Sequence, residues 1–146
     1  MKTVADRHYT YYDFYTDYIT PKLEEIDLFI KTSGERIECL RAAEILDLRP
    51  REVYAVLSGL RGYAYKPIWM TKTEFFEVMM RGDSLICGLY RRETECGSPL
   101  VYSRDQIAYI YDIDIDKINS ACDSMHMIEM TAYMLPEIFE RVEFLF

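Results

Sequence analysis

Apolar residues recur at helical spacing twice within residues 37–57, with a short break between the two runs. In the first run, Ala42 and Leu46 lie four residues apart, which is typical of the buried face of a short helix. Asp47 lies at the break, and Pro50 begins the second run, because proline is favoured in the first turn of a helix. The stretch therefore predicts two short helices joined by a tight corner.

Two short helices with such a corner resemble the helix-turn-helix of DNA-binding regulators. In that motif, small residues such as Ala42-Ala43 let the helices cross closely, and an apolar residue after the turn, here Leu48, fixes their angle. The resemblance covers the 21 residues from 37 to 57. It implies a helical fold, and a second helix that is available for contact with DNA or with another protein.

The same pattern returns 65 residues later, between Tyr102 and Cys122. Asp47 corresponds to Asp112 at the corner, and Leu48 corresponds to Ile113. Chance similarity of two amphipathic stretches is the competing explanation, but the shared acidic corner favours an internal duplication. With a shift of one residue, the apolar positions further along also correspond: Met70 with Met134, Phe75 with Phe139, and Val78 with Val142.

We therefore predict a mainly α fold of tandem helix-turn-helix units, each a helix, a helix-turn-helix, a short strand and a helix. At most a small β-sheet or wing is expected. An N-terminal aromatic helix would cover residues 1–22, and the two copies would cover 23–82 and 83–146, packed as one compact domain. The predicted strands are Tyr63–Met70 and Met127–Leu135, which would pair with each other.

Aromatic residues dominate the N-terminal segment, and four of them share one helical face. These are Tyr11, Phe14, Tyr15 and Tyr18. We expect this face to close over the core, although an exposed aromatic surface for a partner is an alternative. A new helix is predicted to start at Thr20-Pro21, where a hydroxyl cap precedes a proline.

Two further helix starts have the spacing of a capping box, in which a hydroxyl residue precedes Glu or Gln by three positions. One is formed by Thr71 and Glu74, and the other by Ser103 and Gln106. Between them, Ser84–Thr94 is predicted to be a helix with Leu85 facing inward. A β-hairpin that turns near Gly97 is the alternative for this region.

The chain carries 17 Lys and Arg against 25 Asp and Glu, which gives a net charge of −8. An acidic chain is less suited to DNA, although one local basic face is enough. No apolar run approaches the roughly 18 residues of a membrane span, so we expect no membrane partner. The N-terminus lacks the basic and then apolar layout of a signal peptide, which predicts a cytoplasmic location.

The two copies differ in charge where the second helix of each motif begins. Residues 49–66 contain four cations and one acid, whereas residues 114–131 contain four acids and one cation. A helix that binds DNA needs cations for phosphates and polar side chains for base edges. The candidate DNA-binding residues of the first copy are Arg49, Arg51, Tyr54, Ser58, Arg61 and Lys66. The candidate partner-binding acids of the second copy are Asp112, Asp114, Asp116, Asp123 and Glu129.

Catalytic chemistry has little support in the sequence. His8 and His126 are the only histidines, and neither lies in a nucleophile or metal motif. Cys122 and His126 could offer two ligands on one helix face, but a structural zinc site needs four. The glycines form no phosphate-binding loop. We therefore predict a protein that is not an enzyme and has no metal or cofactor.

Two functional hypotheses follow from the motif and the charges. The first is a small DNA-binding regulator of transcription that contacts double-stranded DNA through the first copy, alone or as a homodimer. The second is an acidic protein-interaction module. Such a module could act as a DNA mimic, as anti-restriction or anti-CRISPR proteins do, and inhibit a basic nucleic-acid-binding protein by presenting carboxylates in place of phosphates.

Overall fold

The computed structural model describes residues 9–63, 66–97, 100–126 and 130–143. Within these residues the chain is mainly helical with short strands, which confirms the predicted fold class. The elements in chain order are α1 (Tyr11–Phe14), a π-helical turn (Tyr15–Ile19), α2 (Thr20–Thr32), β1 (Arg36–Glu38), α3 (Cys39–Ile45), α4 (Pro50–Arg61), β2 (Trp69–Thr71), α5 (Lys72–Arg81), α6 (Leu85–Glu95), β3 (Val101–Tyr102), α7 (Arg104–Tyr111), α8 (Ile115–Ser124), β4 (Met130–Thr131), a 3-10 turn (Ala132–Met134) and α9 (Leu135–Glu140).

The chain divides into two compact units. The first unit comprises residues 22–91, and the second comprises the described parts of 1–21 and 92–146. These bounds differ from the predicted 1–22, 23–82 and 83–146. The first unit extends to residue 91, and the aromatic N-terminal segment belongs to the second unit because its rings pack against α9.

The core of the first unit surrounds its helix-turn-helix. Side chains from α2, α3, α4, α5 and α6 meet there, and Leu46, Leu57 and Phe75 are completely buried. Each such side chain contributes roughly 1.5–3 kcal/mol on leaving water. Because these residues come from both helices of the motif and from its neighbours, the core holds the angle of the corner.

The core of the second unit is aromatic. The rings of Tyr11 and Tyr15 lie 4.8 and 5.1 Å from that of Phe139, and Tyr111 lies 4.9 Å from the same ring. The Tyr11 hydroxyl also donates to the Tyr111 carbonyl at 3.1 Å. The N-terminal face therefore packs into a core as predicted, and its exposed alternative does not hold for Tyr11, which is 6% exposed.

α2 begins at Thr20, where a helix start was predicted, but Thr20 does not act as a cap. Thr20 already has helical dihedral angles, and its N–H donates to the Tyr15 carbonyl five residues earlier. Helical structure thus continues from Tyr11 to Thr32, with one π turn. The π turn changes the hydrogen-bond register directly before Pro21, which has no N–H to donate.

Each unit has its own two-stranded antiparallel sheet, so the predicted pairing of Tyr63–Met70 with Met127–Leu135 is wrong. β1 pairs with β2, with Ile37 opposite Met70, and β3 pairs with β4, with Tyr102 opposite Met130. The strand before each helix-turn-helix thus pairs with the strand after it. Predicted residues 64–65 and 127–129 lie outside the described residues.

Strand pairing also corrects the alignment of the copies beyond the motif. Met70 corresponds to Met130, an offset of 60 and not of 64. With this offset the buried residues of α5 and α9 agree: Phe75 with Leu135, Val78 with Ile138, and Met79 with Phe139. The second copy is shorter between its motif and its last helix, which apolar spacing alone did not reveal.

The region after α5 is helical, as predicted, and the hairpin alternative is excluded. α6 covers Leu85–Glu95, and the Ser84 hydroxyl accepts the Cys87 N–H at 3.2 Å while donating to the Leu46 carbonyl at 2.6 Å. Leu85, expected to face inward, is 49% exposed. Ser84 therefore begins α6 and also ties it to the end of α3.

Candidate nucleic-acid interface

The corner of the first helix-turn-helix is held by backbone hydrogen bonds. Asp47 has a left-handed φ of 54°, which reverses the chain after α3. The Leu48 N–H then donates to the Ala43 carbonyl at 2.9 Å, and the Leu48 side chain is 7% exposed. Lys22 adds a contact to the Asp47 carboxylate at 3.0 Å. These contacts fix the chain between α3 and the start of α4.

The second corner has the same geometry. Asp112 also has a φ of 54°, and the Ile113 N–H donates to the Ala108 carbonyl at 3.0 Å. The Ile113 side chain is 9% exposed, close to the value for Leu48. Leu48 and Ile113 therefore occupy equivalent positions, as expected of an internal duplication.

Three of the predicted DNA-binding cations are exposed in the first unit. Arg49 is the N-cap of α4, Arg51 lies in its first turn, and Lys66 lies between α4 and β2. No carboxylate of the described residues forms an ion pair with these three side chains. The Arg49 N–H donates to the Glu52 carboxylate at 2.9 Å, which caps the helix and leaves the guanidinium in solvent.

The outer face of α4 is formed mainly by small residues. Ala55 and Gly59 follow Arg51 at helical spacing and are exposed, and a Cβ added at Gly59 would meet nothing within 4 Å. Ser58 lies on this face and is half-buried. Tyr54 is half-buried and packs against the core of the first unit. On this face the long cationic side chain of Arg51 therefore projects beyond the small side chains that follow it.

Arg61 has its guanidinium bound within the first unit. Its Nε and Nη2 donate to the two Glu74 carboxylate oxygens at 2.7 and 2.9 Å, and Nη2 also donates to the Trp69 carbonyl at 3.0 Å. This pairing lowers the pKa of Glu74 to about 2, mainly through the Arg61 hydrogen bonds, and raises that of Arg61 for the same reason. The sequence predicts that Arg61 faces DNA with the other cations, whereas its guanidinium is paired with Glu74 inside the first unit.

The acids of the second unit are arranged differently from one another. Asp112, Asp114 and Asp116 are exposed around the start of α8, and the Asp114 carboxylate accepts the Asp116 N–H at 2.8 Å as a helix cap. Asp123 pairs with Arg104 at 2.8 Å. Glu129 lies outside the described residues. Asp114 and Asp116 thus stand where Arg49 and Arg51 stand in the first corner.

The two units differ in net charge. Residues 22–91 contain eleven Lys and Arg and eleven Asp and Glu, whereas the rest of the chain contains six and fourteen. The net charge of −8 therefore comes entirely from the second unit. The overall acidity of the chain says little about the surface around α4.

Shallow hollows flank the start of α8 in the second unit. One of about 130 Å³ is lined by residues including Asp112, Asp114 and Lys117, and one of about 310 Å³ by residues including Lys117 and Arg141. Cations and acids are mixed in both hollows, so neither hollow favours a ligand of one charge.

Across the described ranges, no three His, Cys, Asp or Glu side chains are grouped as metal ligands would be.

Glu74 has two roles, and the sequence indicates only one of them, the helix cap. Its place in a capping box is confirmed, since the Glu74 N–H donates to the Thr71 hydroxyl at 3.1 Å. Its pairing with Arg61, thirteen residues earlier, depends on how α4 and α5 meet and has no local signal.

None of the described helices combines the length and apolar character needed to cross a membrane. Comparison of the chain with protein-family models, with curated proteins and with solved structures finds no match.

Proposed function

We propose that the first unit binds double-stranded DNA through the start of α4. The supporting observation is the exposure of Arg49, Arg51 and Lys66, without a paired carboxylate among the described residues, beside a helix-turn-helix corner. Electrostatic contacts with phosphates account for most of the non-specific affinity of such proteins. A regulator of transcription is the class that this arrangement fits, with α4 as the helix that enters the major groove.

The three cations have different roles in this proposal. In helix-turn-helix proteins the first residues of the second helix reach base edges, and arginine pairs with guanine through two hydrogen bonds. Arg51 is the long side chain on the outer face of α4, where Ala55 and Gly59 leave room for the groove. Arg51 therefore reads a guanine, and Arg49 and Lys66 contact phosphates on either side.

The test is a fluorescence titration of labelled duplex with the full chain near 50 mM salt. We expect the logarithm of the binding constant to fall linearly as the logarithm of the salt concentration rises. The slope should be about −2 to −3, the value for two or three phosphate contacts. Substituting Arg49, Arg51 and Lys66 with glutamine abolishes binding. Absence of duplex binding by the unmodified chain at this salt concentration overturns the proposal.

A matched control keeps the net charge change the same. Lys31, Arg41 and Arg81 are exposed cations of the first unit, each in an ion pair within its own helix. Substituting these three with glutamine removes the same charge from other surfaces. If this variant loses binding as fully as the first, then binding reflects net charge and not the start of α4.

The confinement of the net charge to the second unit supports a second candidate function. Exposed Asp112, Asp114 and Asp116 could bind a basic nucleic-acid-binding protein in place of DNA phosphates. The test is capture of a purified basic DNA-binding protein on the immobilised chain. Substitution of the three acids with asparagine, which also caps helices, releases that protein, whereas substitution of the cations does not. Retention by the asparagine variant argues against this function.

A further inference from the structure

One ion pair joins three elements at the end of α4. The Arg61 guanidinium contacts Glu74 of α5 through two hydrogen bonds and the Trp69 carbonyl of β2 through a third. The side chains of Arg61 and Glu74 are 21% and 17% exposed, so most of the pair is shielded from water. A planar guanidinium is suited to this arrangement because it donates in several fixed directions at once.

Hydrogen bonds hold the described residues at both ends of the stretch between α4 and β2. At its start, Gly62 has a φ of 79° and its N–H donates to the Ser58 carbonyl at 2.9 Å. At its end, the Ile68 carbonyl accepts the Cys39 N–H at 2.9 Å, and Trp69 is held by Arg61. Lys66 lies two residues before Ile68, so its position depends on the anchors at Ile68 and Trp69.

The second unit lacks this ion pair. The residue that matches Arg61 is His126, and strand pairing matches Glu74 with Met134, so neither partner is present. Among the described residues of that unit, Arg104 pairs with Asp123 and joins α7 to α8 instead. The pair at the end of α4 thus occurs in the unit whose corner presents Arg49 and Arg51.

We infer that Arg61 and Glu74 are positioning residues, which hold residues 66–69 so that Lys66 contacts a phosphate beside the site of α4. The inference rests on the proposed DNA binding and assigns Arg61 an indirect role. Loss of Arg61 therefore removes the contribution of Lys66, whereas the contribution of Arg51 from the first turn of α4 remains.

A double-mutant cycle on the full chain tests this coupling, with the salt dependence of duplex binding as the measurement. Lys66→Gln in the unmodified chain should reduce the slope by about one, as expected for one phosphate contact. In the Arg61→Gln background the same substitution should change the slope little, while Arg51→Gln should weaken binding equally in both backgrounds. Additive effects of Arg61→Gln and Lys66→Gln overturn the inference. Arg104→Gln, which breaks the ion pair of the second unit, is the control and should leave the slope unchanged.

Amide hydrogen exchange tests the anchoring without DNA. Arg61→Lys keeps the charge but not the forked geometry, and we expect about tenfold faster exchange at the Cys39 and Thr71 amides. Unchanged exchange at both amides overturns the anchoring role even if the chain binds DNA. If the unmodified chain binds no duplex, the role toward phosphate fails together with the proposed function, and the exchange result still decides whether Arg61 anchors residues 66–69.

Discussion

Asp47 and Asp112 share a left-handed backbone conformation, each with a φ of 54°, at positions 65 residues apart. In both corners the next residue donates its N–H to a carbonyl five residues earlier, at 2.9 Å for Leu48 and 3.0 Å for Ile113. Aspartate and asparagine tolerate this conformation better than other residues with a Cβ. The backbone conformation of the turn therefore favours aspartate in both copies, whereas the residues two positions later, Arg49 and Asp114, have opposite charges.

Substitution at Asp112 should reveal this backbone requirement. Asp112→Val should lower the free energy of unfolding by about 1–2 kcal/mol, because a β-branched side chain is strained at positive φ. Asp112→Asn removes the same charge, but asparagine tolerates positive φ, so this substitution should change stability little. Urea unfolding of both variants is the measurement, and equal losses would show that the charge matters and not the turn.

Acid should weaken the first unit through Glu74. Its pKa is about 2 in the folded chain against 4.5 ordinarily, because Arg61 binds the carboxylate. A lowered pKa contributes stability that is complete above pH 4.5 and is lost as the pH falls from there toward 2. Glu74→Gln should therefore lower the free energy of unfolding by about 1–2 kcal/mol at pH 7 and by much less near pH 2.5. Urea unfolding at both values checks this, and a loss that is independent of pH would contradict it.

Two glycines of the first unit should respond to alanine with opposite signs. A Cβ at Gly59 meets nothing within 4 Å, so Gly59→Ala should stabilise α4 by about 0.5–1 kcal/mol through helix propensity. A Cβ at Gly82 would lie 2.9 Å from the Cys87 sulfur and 3.0 Å from Leu48, so Gly82→Ala should destabilise by about 1–3 kcal/mol. Chemical denaturation measures both. Stabilisation by Gly82→Ala would contradict the packing described for Gly82, and destabilisation by Gly59→Ala would contradict the open space at Gly59.

Alkaline pH should weaken the second unit through its buried tyrosines. Burial raises the pKa of Tyr11 and of Tyr111 well above the ordinary value of 10. Their contribution is complete below pH 10 and is lost as the pH rises above it, since the unfolded chain ionises first. Tyr11→Phe should cost about 1 kcal/mol at pH 7, for the lost hydrogen bond to the Tyr111 carbonyl. It should also reduce the fall in stability between pH 9.5 and 11, and an unchanged fall would argue against the burial of this hydroxyl.

Helix positions and their caps could be predicted from the sequence because their signals are local. Apolar spacing and the Asp-apolar corner located both helix-turn-helix motifs, whose turns are then confirmed by matching dihedral angles. The capping boxes begin at Thr71 and Ser103 as predicted, with hydrogen bonds of 3.1 Å to the N–H three residues later. Hydroxyl, carboxylate and amide all lie within one helical turn in such a motif.

Pairings between distant residues were decided only by the tertiary structure. Strands of two or three residues carry too little pattern to choose a partner, so the sequence alone did not show that each copy pairs its own strands. In the sequence Arg61 is indistinguishable from the exposed cations near it, but the packing of α5 against α4 places Glu74 2.7 Å from its Nε. Spacing along one helix determines which face is apolar, whereas the charge left available at the surface depends on which other elements meet that helix.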